Sequence, residues 1–149
     1  MKLEVVVLAA GKGTRMRSAL PKVLHLVAGK PMLSHILESA QKLSPDHIHV
    51  VCGHGAEQVR EYFSQDPNIN WIFQAEQMGT GHAVCQALPD ISTQATVLVL
   101  YGDIPLISPG TLKRLTDEAR DGSLALLSAS FDNPHGYGLS LIHISEPTR

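Results

Sequence analysis

Apolar residues along this chain fall in unbroken runs separated by stretches with helical spacing. Val5-Val6-Val7-Leu8 is such a run and ends in Ala9-Ala10-Gly11, which predicts a buried strand entering a turn. Pro31 opens a helix with Met32, Leu33, Ile36, Leu37, Ala40 and Leu43 at helical spacing, and Pro45 closes it. Ile48, Val50 and Val51 predict a second strand, broken by Gly53-His54-Gly55. A short helix over residues 56–63 follows, with Val59, Tyr62 and Phe63 on one face. Trp71-Ile72-Phe73 predicts a third strand, and Gly79-Thr80-Gly81 announces a helix carrying Ala83, Val84, Ala87 and Leu88. Thr96-Val97-Leu98-Val99-Leu100 is a fourth strand. Pro109 opens a last helix through Leu112, Leu115 and Ala119 to Gly122, and residues 124–131 predict a fifth strand. Strands that alternate with helices, and are apolar throughout, predict an α/β fold: a Rossmann-like, mostly parallel sheet with helices on both faces. Ligands of such sheets gather at the carboxyl ends of the strands. Three glycine-bearing segments, at residues 11–14, 53–55 and 101–103, lie there.

Composition narrows the function classes. The 149 residues suit one domain, and 44% hydrophobic with only 17% charged residues excludes a disordered or acidic-tail protein. The formal charge of −2 lacks the basic footprint of a duplex-DNA binder, so no nucleic-acid partner is expected. Cys52 and Cys85 cannot form a disulfide framework and imply a reducing compartment. The first apolar run, Val5 to Ala10, is too short for a signal or a membrane span. A cytoplasmic chain away from membranes is the expectation.

Three segments can carry chemistry. Glycines in Leu8-Ala9-Ala10-Gly11-Lys12-Gly13-Thr14-Arg15-Met16 let backbone approach a ligand and aim N–H groups at phosphate. It is not a P-loop, because position 6 is Val6, and not the dinucleotide fingerprint, because Met16 stands where glycine is needed. A tight turn with solvated basic residues is the plain alternative. Tyr101-Gly102-Asp103-Ile104-Pro105-Leu106 places a carboxylate at a strand end, where Asp103 is either a Mg²⁺ ligand or an ordinary turn former. In Gln74-Ala75-Glu76-Gln77-Met78-Gly79-Thr80-Gly81-His82-Ala83, Gln74 offers the donor and acceptor that read a nucleobase edge. The alternative there is a helix capped by Thr80 beside a surface glutamine. The eight histidines make no zinc pattern, and nothing in the sequence tunes either thiol.

Together with Leu20-Pro21-Lys22-Val23-Leu24-His25, these segments resemble the signature of the sugar-nucleotide pyrophosphorylases. Within that family they are most similar to the bacterial bifunctional N-acetylglucosamine-1-phosphate uridylyltransferase/glucosamine-1-phosphate acetyltransferases. The resemblance runs from residue 3 to residue 138. It implies a Mg²⁺-dependent nucleotidyltransferase that joins UTP to N-acetylglucosamine 1-phosphate, giving UDP-N-acetylglucosamine, a cell-wall precursor, and pyrophosphate. It puts Leu8, Ala9, Ala10 and Gly11 on the uracil and ribose, with Gln74, Gly79 and Thr80 completing uridine recognition. Arg15 and Lys22 are the implied catalytic cations on the phosphates. Tyr101, Gly102 and Asp103 close the site, Asp103 as the metal ligand, and Gly138 binds the acetylated sugar through its backbone.

After Gly138 the residues Leu139-Ser140-Leu141-Ile142-His143-Ile144 depart from the family pattern. The expectation is therefore the amino-terminal part of a pyrophosphorylase domain over residues 1–138, followed by a non-native tail over residues 139–149. The acetyltransferase β-helix domain, and the homotrimer the resemblance attributes to it, fall outside this sequence. A half-built site of this kind predicts little turnover by the chain alone. Two rival readings remain: a sister pyrophosphorylase with another nucleotide or sugar, and a non-catalytic nucleotide-binding fragment.

Overall fold

The computed structural model describes residues 2–11, 13, 16–119, 122–130 and 132–133. Its elements are β1 (Lys2–Ala9), β2 (Leu26–Val27), β3 (Lys30–Pro31), α1 (Met32–Gln41), β4 (His47–Cys52), α2 (Ala56–Tyr62), β5 (Ile69–Phe73), α3 (Thr80–Ala87), β6 (Ala95–Tyr101) and α4 (Pro109–Glu118). Strands β5, β4, β1 and β6 pair in that order, every pair parallel. β1 is central because its β-branched run is apolar on both sides, and Val5, Val6 and Val7 are fully buried. Val5 and Val7 belong to a cluster with Leu33, Ile36 and Leu37 of α1, Val59 of α2 and Leu112 of α4. Val6 belongs to a second cluster with Val51, Ile72 and the small residues Ala83 and Ala87 of α3. Helices thus cover both faces of a parallel sheet, the architecture the apolar runs predict.

Two features differ from the pattern-based expectation. Residues 124–130 do not form a strand: Leu124 and Leu126 are 85% and 72% exposed. A strand needs a backbone partner, and among the described residues β6 bonds β1 alone. Instead residues 124–127 border an apolar groove shared with β6 and α4. The hairpin of β2 and β3, turning at Ala28 and Gly29 with φ of 48° and 79°, was not expected, since two-residue strands carry no periodicity. Residues 134–149, with the expected boundary after 138, lie outside the described residues.

Candidate active site

The parallel register brings the carboxyl ends of β1 and β6 side by side, with Leu8 opposite Tyr101. Just beyond, the Gly102 N–H donates to the Leu8 carbonyl at 2.9 Å. A Cβ on Gly102 would stand 3.2 Å from that carbonyl and 3.2 Å from Val23, so a small residue holds the chain against β1. Asp103 then emerges immediately past the sheet.

Lys22 reaches the same place from another direction. It begins a single 3₁₀ turn, Lys22–Leu24, anchored by buried Val23 and Leu24. Two glycines in left-handed conformation let this turn close down. A Cβ on Gly13 (φ 59°) would meet the Lys22 Cβ at 2.8 Å, and one on Gly55 (φ 71°) would meet Pro21 at 2.5 Å. Lys22 Nζ is consequently 2.6 Å from Asp103 Oδ2, both side chains about one-third exposed.

Gln74 follows β5 and extends its pairing, its N–H donating to the Cys52 carbonyl at 2.8 Å. The side chain is 2% exposed. Its Nε2 donates to the Gly79 carbonyl at 3.4 Å and to His82 Nδ1 at 2.8 Å. Gly79 is the N-cap of α3 and no side chain caps that helix, so Thr80 is its first residue rather than its cap. The amides of the first turn are left for a ligand or water.

These parts surround one cavity of about 410 Å³, within the range of small-molecule sites. β1 and its turn contribute Leu8, Ala9, Ala10 and Gly11; Gln74, Gly79 and Thr80 form another wall; Lys22, Tyr101 and Asp103 complete it. Gly102 stands behind the wall rather than in it. Arg15 and Gly138 lie outside the described residues. The cavity also takes in Val23, Gln77 and Ala83, which sequence reasoning did not single out. Ala83 could have been found, since it follows Thr80 by three residues on one helix face.

The other polar candidates lie elsewhere. His49, 2% exposed, donates from Nε2 to Glu4 at 3.0 Å, and Asn70 reaches its Nδ1 at 3.0 Å. Burial pushes the Glu4 carboxyl up, but hydrogen bonds from His49, Lys2 and the Ser92 N–H outweigh it and hold it at about 2. Burial raises the Cys52 thiol to about 12, far from a nucleophile's range. No three His, Cys, Asp or Glu side chains converge on a metal position among the described residues. Asp103 nonetheless suits Mg²⁺, which takes one or two carboxylates beside phosphates and water, and this carboxylate already holds a cation. No helix among the described residues is long and apolar enough to cross a membrane.

Comparison with known proteins bears on family and fold. The chain is 59% identical to the "Bifunctional protein GlmU" of Pseudomonas putida over 138 residues, which is 93% of this chain and 30% of that protein. It therefore spans under a third of the length of the curated relatives it matches. Rv0371c of Mycobacterium tuberculosis, solved as a manganese complex, superposes with a TM-score of 0.66 at 26% identity, over 78% of this chain and 59% of that one. A UDP-glucose pyrophosphorylase complexed with UDP-glucose shares the fold, with a TM-score of 0.68 at 21% identity over 81% of this chain and 54% of that one. Residues 5–145 match the MobA-like NTP transferase domain, and the chain belongs to that family.

Proposed function

We propose that the cavity holds UTP for uridylyl transfer to N-acetylglucosamine 1-phosphate. The observation that carries this reading is the arrangement of one cavity: a buried amide and an uncapped helix start on one wall, a cation and a carboxylate on another. The first wall suits a base and the second suits phosphates. The sugar phosphate is taken from the sequence resemblance and is supported by the 59% identity to a bifunctional GlmU.

In the reaction an oxygen of the sugar phosphate bonds to the α-phosphorus of UTP, and the bond to the departing pyrophosphate breaks. Nucleophile and leaving group are both anions, so no proton need move. The barrier is crowding of negative charge and loss of alignment, which positioning and cations lower. Ala9, Ala10 and Gly11 offer close backbone approach, and Lys22 exchanges Asp103 for a phosphate oxygen. Arg15 is the second cation of this reading, and Gly138 its sugar contact. Asp103 is the residue that would hold Mg²⁺, which when bound neutralises phosphate charge.

Calorimetric titration with UTP in Mg²⁺ tests the reading. Saturable binding that weakens about tenfold or more in Lys22→Ala is expected, as a charge-assisted contact is lost. Absence of binding, or equal binding by wild type and Lys22→Ala, overturns it.

A further inference from the structure

We propose that His82 fixes which way the Gln74 amide faces, so that the cavity presents a hydrogen-bond acceptor to the base. This rests on the reading of Gln74 as the base contact. The Gly79 carbonyl can only accept, so the amide end beside it, at 3.4 Å, is Nε2. The second hydrogen of that nitrogen points to His82 Nδ1 at 2.8 Å. A ring nitrogen that accepts carries no proton, which places the imidazole proton on Nε2.

The amide nitrogen of Gln86 lies 3.2 Å from that Nε2. A neutral imidazole accepts at one nitrogen only, so one of the two amides must present oxygen. Gln74 is 2% exposed and tied to a backbone carbonyl. Gln86 is half-buried, and a half-turn brings its own carbonyl to the Nε2–H. The order then runs from Gln74 NH₂ to His82 Nδ1, and from His82 Nε2–H to Gln86. Oε1 is the atom Gln74 has left for a ligand. It complements the N3–H of uracil and opposes, lone pair to lone pair, the bare N3 of cytosine. His82 is in this account a positioning residue that sets nucleobase preference without touching the base.

Two measurements test it. Long-range ¹H–¹⁵N spectra of the wild-type chain are expected to show His82 protonated at Nε2; the Nδ1–H form overturns the proposal. Titrations with UTP and CTP are then compared across variants. His82→Leu is expected to reduce the UTP-over-CTP ratio about fivefold or more, the effect of losing control of one buried hydrogen bond. His82→Asn, whose amide oxygen can replace the Nδ1 acceptor, should restore most of the ratio. A wild-type ratio in His82→Leu, alongside a reduced ratio in Gln74→Leu, overturns the role of His82 alone. An unchanged ratio in Gln74→Leu, or no UTP binding by the wild type, overturns the base-contact reading beneath it.

Discussion

Lys22 and Asp103 neutralise each other at 2.6 Å, yet each is partly open to the cavity, so neither is committed to the pair. Asp103→Asn should therefore do two things at once. It frees Lys22, and it removes the carboxylate that favours Mg²⁺, so the enhancement of UTP affinity by Mg²⁺ should vanish in that variant. Titrations with and without the ion check this. Glu4 makes a second prediction, about pH. Its folded value of about 2 lies below the ordinary 4.5. As pH falls the unfolded chain takes up this proton first, so the stabilisation is complete above about 4.5 and drains away toward about 2. Thermal unfolding should consequently fall more steeply with acid in the wild type than in Glu4→Gln across that window. Residue type made Gln74, Lys22 and Asp103 legible as candidates in the sequence. His82 was not, because its partner in the fold is eight residues upstream, across the turn before α3, a contact that no helical or strand spacing announces.

Among the elements, the β-branched runs announced β1, β4 and β6 correctly; β1 and β4 are buried on both faces and need no alternation, while β6 buries only the face of Leu98 and Leu100. The expectation fails at residues 124–130, where the same apolar character lies beside β6 without pairing to it, Leu124 and Leu126 staying largely exposed. The loops carry more of the site than the strands do. The Lys22 turn depends on glycines at residues 13 and 55, whose purpose is invisible until Pro21 and Lys22 are seen against them. Gly55→Ala forces alanine into a left-handed conformation and into Pro21. It should destabilise the chain by about 1–3 kcal/mol and weaken UTP binding together. Ser108, the N-cap of α4, accepts from the Thr111 N–H at 3.1 Å and lies on another element. Ser108→Ala should cost about 1 kcal/mol in chemical denaturation and leave UTP affinity unchanged.

On the scale of the whole molecule, β6 is one of the two sheet edges among the described residues. Its inward residues Leu98 and Leu100 are buried, while Val97, Val99 and Tyr101 on the opposite face are more than one-third exposed. An exposed apolar face on an edge strand promotes association. Sedimentation of the 149-residue chain should show mass rising with concentration, and Val99→Lys should suppress the rise. The cavity is nonetheless lined by described residues from β1, the segment after β5, α3 and the end of β6. The most direct test is a crystal structure of the chain grown with UTP and Mg²⁺. The account predicts uracil against Gln74, the triphosphate against Lys22 and the ion on Asp103. A nucleotide bound away from this cavity, or one reversed so that phosphates meet Gln74, would contradict it.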